Sequence, residues 1–144
     1  MKFWDTSALV PLLLEEPSSA RMRAIFANDS GILTSAFSAI EISSAVWRRR
    51  HAGDISVAAH QEADELFADL SRTWTELPVS QDAVDSAVGV MSRHPLRAGD
   101  ALQLGTALMA AGRARKFPFV TLDERLTAAA RAEGFPVLPE LSVL

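Results

Sequence analysis

Four acidic side chains have the chemical type that divalent-metal catalysis requires: Asp5, Glu41, Asp100 and Asp123. Burying several carboxylates close together without cations would raise their pKa values and destabilise the fold, so a cluster of this kind implies a bound divalent ion. The chain has no cysteine, which excludes disulfides and thiolate metal ligands. Oxygen ligands point to Mg²⁺ or Mn²⁺.

Each of these acids also has a simpler interpretation. Asp5 and Asp123 each follow a short apolar run and precede a predicted helix, and Asp100 begins a third one. Aspartate is a preferred N-cap residue, so all three positions are compatible with capping alone. Glu41 lies in the middle of a predicted helix, on a face otherwise suited to packing, and a solvated helix edge is its alternative.

Apolar runs alternate along the chain with helical patterns, and these elements must bring the acids together. The predicted strands are residues 3–4, 31–34, 74–79, 117–122 and 136–138. Two predicted helices begin near residue 8 and near residue 18. Five more are predicted at residues 37–51, 56–72, 80–94, 100–115 and 123–134. Apolar strands that alternate with helices imply a parallel sheet covered on both faces. We therefore predict one three-layer α/β/α domain over residues 1–144, with its site at the carboxyl ends of the strands.

Composition and charge restrict the function further. The 144 residues are 49% hydrophobic and 22% charged, as in an ordinary soluble domain. The formal net charge of −4 argues against binding nucleic acid by charge alone, so an RNA enzyme of this composition needs a bound cation or a basic partner. The lack of cysteine and of a long apolar segment predicts a cytoplasmic protein without a membrane span. Motifs for a phosphate-binding glycine loop, a Ser-His-Asp hydrolase or a zinc protease are absent from the sequence.

The four segments that carry the acids occur in an order that resembles a known family. They read FWDTSAL at residues 3–9, Ile40-Glu41, LRAGDALQL at residues 96–104, and VTLDERL at residues 120–126. Together they resemble the ordered acidic motifs of the PIN-domain toxins, which are often called VapC-like. Each motif alone is unspecific, and the resemblance comes from all four in register across essentially the whole chain.

This resemblance implies a metal-dependent ribonuclease that is the toxin of a type II toxin-antitoxin module. It implies that Asp5 and Asp100 are the principal metal ligands and that Glu41 and Asp123 complete the catalytic pocket. It also implies Mg²⁺ or Mn²⁺ as the cofactor, RNA as the substrate, a cognate antitoxin as the inhibitor, and a homodimer.

Some neighbouring residues depart from the family pattern or have two interpretations. Gly99 stands where the family often has a bulky residue, and Pro11 stands where it often has a polar one, so we expect local helix geometry to differ there. Pro11 is predicted to lie in about the first turn of its helix. The hydroxyls of Ser7 and Thr121 could hold a metal-bound water or a phosphate oxygen, or they could serve helix capping and strand-end bonding.

Basic residues occur near two of the motifs. The run at residues 48–51, RRRH, ends the Glu41 helix, where positive charge offsets the helix dipole, and RNA contact is the alternative. Arg93, His94 and Arg97 precede Asp100 closely enough to flank the pocket, and Arg97 is a candidate for phosphate contact.

Two other classes of protein are alternatives. A receiver-type signalling domain is also a small α/β protein with acids and Mg²⁺ at its strand ends, but Thr6-Ser7 follows Asp5 where a receiver resembles an acidic pair. A catalytically inactive PIN-like module that binds RNA or protein is the second alternative. The presence of all four acids argues against it.

Overall fold

The computed structural model describes residues 1–140 and has a central sheet between two layers of helices. The strands are β1 (Lys2–Trp4), β2 (Ile32–Ser35), β3 (Thr75–Leu77), β4 (Phe119–Val120) and β5 (Val137–Leu138). The helices are α1 (Thr6–Leu13), α2 (Ser19–Asn28), α3 (Phe37–His51), α4 (Val57–Ser71), α5 (Gln81–Arg93), α6 (Ala98–Ala111) and α7 (Glu124–Ala132). All strand pairs are parallel, in the order β3-β2-β1-β4-β5. The predicted three-layer α/β/α fold is confirmed.

The central strand β1 contributes to the cores on both faces of the sheet, because successive side chains of a strand point to opposite faces. Phe3 packs in one apolar cluster with Leu104 of α6 and Leu126 of α7. Trp4 packs in the other, with Leu9 of α1. Both aromatic side chains are fully buried, so the strand end that carries Asp5 is anchored from both sides.

Helices α5 and α6 approach each other closely at Gly105. A Cβ atom at this position would lie 2.5 Å from the backbone nitrogen of Ala87, and close-packed interiors do not tolerate such an approach. Glycine is therefore required for this contact. The contact holds α6, whose first turn carries Asp100.

Helices α1 and α6 differ most from their predicted bounds, and α7 ends two residues before the predicted residue 134. Helix α6 begins at Ala98 rather than near residue 100, and it ends at Ala111 rather than near residue 115, because Gly112 has a positive φ of 62° that stops the helix. Helix α1 begins at Thr6, before the predicted residue 8, so Pro11 lies inside the helix beyond its first turn. In residues 1–140, none of the helices has the length and hydrophobicity to span a membrane.

Strands β3 and β4 are shorter than predicted by three residues or more, and β5 by one. Strand β4 comprises only Phe119–Val120 of the predicted residues 117–122, and the preceding Pro118 has no N–H to extend the ladder. Strand β3 comprises Thr75–Leu77 of the predicted residues 74–79. It lies at the edge of the sheet and is largely exposed, so apolar packing does not extend it.

Candidate active site

One cleft at the carboxyl ends of the strands brings the four predicted acids together. Asp5 follows β1, Glu41 lies on α3 after β2, Asp123 follows β4, and Asp100 lies at the start of α6. The cleft has a volume of about 400 Å³. Its lining residues are Asp5, Thr6, Ser7, Val10, Glu16, Glu41, Ala45, Arg48, Arg49, Arg97, Asp100, Leu122 and Asp123.

The Asp5 carboxylate is held by three donors. Oδ1 accepts hydrogen bonds from Ser7 Oγ at 2.7 Å and from the Ala8 backbone nitrogen at 3.3 Å, and Oδ2 accepts one from Thr121 Oγ1 at 3.0 Å. The Ala8 bond makes Asp5 the N-cap of α1, so the capping interpretation is confirmed. Asp5 is nevertheless only 3% exposed, and capping does not require such burial.

Burial makes the negative charge of Asp5 unfavourable. Desolvation raises the pKa of Asp5 to about 7, against the opposing effect of hydrogen bonds from Ser7, Thr121 and Ala8, and the charge of Asp100 raises this pKa further. None of the ion pairs formed by residues 1–140 involves Asp5. A buried carboxylate without a cationic partner is costly to ionise, and a cation in the cleft would remove this cost.

Asp100 lies in the first turn of α6, and Arg97 occupies the N-cap position. The alternative interpretation of Asp100 as a helix cap is therefore wrong. Partial desolvation raises the pKa of Asp100, as do the nearby charges of Asp123 and Glu41, while Arg97 lowers it. Arg97 Nε lies 3.7 Å from Asp100 Oδ2.

Glu41 is half-buried and oriented through one oxygen. Its Oε1 accepts hydrogen bonds from Thr6 Oγ1 at 3.0 Å and from Gln103 Nε2 at 2.8 Å. Its Oε2 lies where a side chain at position 99 would be, because a Cβ atom on Gly99 would approach it to 2.9 Å. The departure at Gly99 thus has a local consequence, since the missing side chain leaves room for the Glu41 carboxylate. The interpretation of Glu41 as a solvated helix edge is wrong.

Asp123 is the N-cap of α7, and its Oδ1 accepts a hydrogen bond from the Leu126 backbone nitrogen at 2.8 Å. The capping interpretation is therefore confirmed here as well. The hydroxyl groups of Ser7 and Thr121 each have one proton, and each donates it to Asp5. These hydroxyls orient a carboxylate of the protein.

The basic residues near the motifs divide into two groups. Those that line the cleft are Arg48, Arg49 and Arg97. Arg93 and His94, predicted to flank the pocket, instead approach Glu133 at the end of α7, with Arg93 Nε at 2.7 Å and His94 Nε2 at 3.5 Å from Glu133 Oε1. The prediction that Arg93 and His94 flank the pocket is wrong.

The oxygen donors of the cleft fit a hydrated divalent ion. Among the described residues, no three Asp, Glu or His side chains are gathered closely enough to enclose a metal. Mg²⁺ does not need such a cage, because it commonly binds through one or two carboxylates and keeps several waters. Asp5 and Asp100 both have raised pKa values and could supply those carboxylates.

Two polar residues of the site were not identified from the sequence. Thr6 and Gln103 both contact Glu41, but each looks ordinary beside a stronger motif residue. Two signals for Gln103 were available in the sequence. It is a polar residue between apolar neighbours on α6, and it follows Asp100 by three positions. Residues three apart share a helix face, so Gln103 could have been assigned to the face of Asp100.

Solved structures with the same fold include proteins from three organisms. A toxin-antitoxin complex from Klebsiella pneumoniae is 19% identical with a TM-score of 0.66, over 99% of this chain and 100% of that one. FitAcB from Neisseria gonorrhoeae is 17% identical with a TM-score of 0.70, over 95% of this chain and 96% of that one. A protein from Pyrobaculum aerophilum is 18% identical with a TM-score of 0.67, over 95% of this chain and 83% of that one. At these identities the likeness shows the fold alone.

Sequence comparison identifies the family. No curated protein gives a significant match to this chain, but the family model of the PIN domain matches residues 2–132. The matched region extends from β1 to the end of α7 and includes all four acids of the cleft. This assignment excludes the receiver-type alternative. The chain belongs to the PIN domain family.

Proposed function

We propose that this protein is a Mg²⁺- or Mn²⁺-dependent endoribonuclease and the toxin of a type II toxin-antitoxin pair. The observation that carries the proposal is the Asp5 carboxylate, which is buried without a cationic partner among residues 1–140 in a cleft that it shares with three other acids. Membership of the PIN domain family supports nuclease activity, because PIN domains are generally nucleases. The Klebsiella complex and its shared fold support the toxin role.

The four acids have different tasks in the proposed reaction. Asp5 and Asp100 hold the ion, which when bound supplies activation of water and stabilisation of the negative charge that develops on the scissile phosphate. Glu41 and Asp123 are the candidates for accepting the proton of the attacking water. Hydrogen bonds already engage Oε1 of Glu41 and Oδ1 of Asp123, so Glu41 Oε2 and Asp123 Oδ2 are the atoms that would take the proton.

Binding of RNA needs local positive charge, because the whole chain carries a formal charge of −4. Arg48 and Arg97 line the cleft and are exposed. We assign them to phosphates that flank the scissile bond, where they position the RNA without reading its bases.

The same concentration of negative charge defines how a partner would inhibit the enzyme. An antitoxin segment that presents Arg or Lys would occupy the cleft and exclude both metal and RNA. Apolar contacts elsewhere would hold the complex together. Neutralising that Arg or Lys should then weaken inhibition more than it weakens assembly. We also propose that the toxin is a homodimer.

The test is RNA cleavage by the purified protein. We expect cleavage with Mg²⁺ or Mn²⁺, none in excess EDTA, and less with Ca²⁺, which is larger and looser in its coordination. Asp100→Asn should abolish cleavage, whereas Glu65→Gln, which removes an exposed acid of α4 outside the cleft, should cleave as the wild type does. Cleavage that continues undiminished in EDTA would overturn the metal mechanism. A stoichiometric complex with the cognate antitoxin that cuts RNA as fast as the free protein would overturn the toxin role alone.

A further inference from the structure

Gln103 is a buried polar residue in the middle of helix α6, between the apolar Leu102 and Leu104. It is 1% exposed, and its amide nitrogen contacts three oxygens that belong to other elements. Nε2 donates to Glu41 Oε1 at 2.8 Å and to Ser38 Oγ at 3.0 Å, and lies 3.4 Å from Thr6 Oγ1. The two short contacts account for both protons of the amide group.

The bond to Ser38 continues into a buried chain of hydroxyl groups. Thr34 Oγ1 donates to the carbonyl oxygen of Trp4 at 2.8 Å, and Thr34 Oγ1 lies 2.7 Å from Ser38 Oγ. Since the Thr34 proton is used on the carbonyl, Ser38 must donate to Thr34, and the Ser38 oxygen is left to accept from Gln103. This chain of hydrogen bonds therefore runs in one direction, from the Gln103 amide to the carbonyl of Trp4 at the end of β1, and Asp5 is the next residue.

The orientation of the amide is determined by Glu41. Exchanging its oxygen and nitrogen would place the Gln103 carbonyl oxygen against Glu41 Oε1, and two acceptors would face each other. In the orientation observed, Gln103 Oε1 is buried without a hydrogen-bond partner among the described residues. An unpaired buried acceptor destabilises a protein, so the amide satisfies Glu41 and Ser38 at the expense of its own oxygen.

From these contacts we infer that Gln103 is a positioning residue for Glu41. It holds Glu41 Oε1 on the protein side, so that Oε2 lies beside Gly99 and is free for the chemistry of the cleft. Through Ser38 and Thr34 it also couples the position of Glu41 to the strand end that carries Asp5. This inference rests on the proposed nuclease function, and it adds a residue that does not itself contact RNA or metal.

The central test replaces Gln103 with methionine, which has a similar length and no hydrogen-bonding amide. Thr106→Val is the matched control, because Thr106 is also buried on α6 and its hydroxyl donates only to Leu102 of its own helix. Affinity for Mn²⁺ is measured by electron paramagnetic resonance in the absence of RNA, and kcat and KM are measured with RNA. Melting temperatures show whether each variant is folded.

We expect Gln103→Met to lower kcat by ~10-fold or more while KM changes by less than ~2-fold, because a buried positioning residue affects the chemical step and not RNA binding. Affinity for Mn²⁺ should also fall, because the charge of Glu41 acts on the proposed ligand Asp100 and adds to the negative charge that attracts the ion. Thr106→Val should leave kcat, KM and Mn²⁺ affinity unchanged. In a Glu41→Gln background, Gln103→Met should change Mn²⁺ affinity by less than ~2-fold, since a residue that acts through Glu41 has no further effect once that carboxylate is gone.

Three results would overturn the inference. If Gln103→Met keeps the kcat and the Mn²⁺ affinity of the wild type, Glu41 does not need the amide. If Gln103→Met lowers Mn²⁺ affinity equally in the wild-type and Glu41→Gln backgrounds, its role is purely structural. If Gln103→Met does not fold, Ser38→Ala breaks the same chain with a smaller change, and unaltered kcat and Mn²⁺ affinity in that variant count against the proposal. Failure of the wild-type protein to bind Mn²⁺ and cleave RNA would instead overturn the proposed function, together with this inference.

Discussion

Asp5 and Asp123 occupy equivalent local positions and have different surroundings. Each follows one of two neighbouring parallel strands, β1 or β4, and each caps the helix that comes next. Asp5 is buried, with hydroxyl donors on both carboxylate oxygens. Asp123 is half-buried, and its hydrogen bond is a capping bond to Leu126. The same residue type with the same local role has therefore been placed in two electrostatic environments.

This difference separates capping from metal binding. A cap needs one carboxylate oxygen near a backbone N–H and tolerates exposure. Full burial adds a desolvation cost that capping does not repay, and a bound cation offsets it. The comparison predicts that Asp5 contributes more than Asp123 to RNA cleavage. It also predicts that Asp123 contributes more than Asp5 to the free energy of unfolding.

The largest expected effect is on RNA cleavage. Asp5→Asn keeps the shape and the capping ability of the side chain but removes its charge, so we expect cleavage to fall by at least ~1000-fold, equivalent to ~4 kcal/mol of transition-state stabilisation. Asp123→Asn should lose only ~10- to 100-fold, as for a proton acceptor with a substitute nearby. Single-turnover rates with saturating Mn²⁺ provide the measurement, and equal losses in the two variants would remove the distinction.

The second effect is a pH-dependent gain of stability in Asp5→Asn without metal. Folding raises the pKa of Asp5 from 3.8 to about 7, so between these values the folded state retains a proton that the unfolded state has released. The free energy of unfolding therefore falls as pH rises through this range. Ionised Asp5 costs on the order of 4 kcal/mol above pH 7, since one pKa unit is about 1.4 kcal/mol.

Urea unfolding in EDTA at pH 4 and pH 8 measures this effect. The Asn variant should match the wild type near pH 4 and exceed it near pH 8. Asp123→Asn serves as the control for replacing a capping aspartate. A difference between wild type and Asp5→Asn that is the same at both pH values would show that burial does not destabilise the ionised form.

A smaller effect is expected when metal is added. Saturating Mg²⁺ stabilises a protein that binds it in the folded state only, by about 2.7 kcal/mol at one hundred times Kd. For a domain of this size that is a rise in melting temperature of roughly 5–10 °C. We expect the rise in the wild type and in Asp123→Asn and its absence in Asp5→Asn, as read by differential scanning fluorimetry. A full rise in Asp5→Asn would place the ion elsewhere.

The smallest effect concerns the cap of α7. Asp123→Ala removes the acceptor of the Leu126 N–H and should cost about 1 kcal/mol, whereas Asp123→Asn keeps a preferred cap and should be nearly neutral. Chemical denaturation at pH 7 distinguishes them. Equal stability of the two variants would mean that the capping bond contributes nothing measurable.

Local patterns were sufficient to predict much of the fold. The helices α3, α4 and α5 have the predicted bounds within a residue, because serine caps, a terminating glycine and a proline stop mark their ends. The bounds of β4 and α6 were less predictable, because the apolar and helical patterns continue across Pro118 and Gly112, which shorten the two elements. Helix α6 also begins two residues before Asp100, which was expected to begin it, and Arg97 has the extended backbone of an N-cap.

The sequence by itself determined the α/β class, the order of the four acids and the capping roles of Asp5 and Asp123, because strand alternation and capping depend on residues within a few positions of one another. Only the tertiary structure decided that Asp5 is buried without an ion pair to any of residues 1–140, that the Gln103 amide donates to Glu41, and that Arg93 and His94 contact Glu133. Desolvation and long-range hydrogen bonds depend on residues that are distant in the chain. The environment of a charge therefore follows from packing, even where its position follows from the sequence.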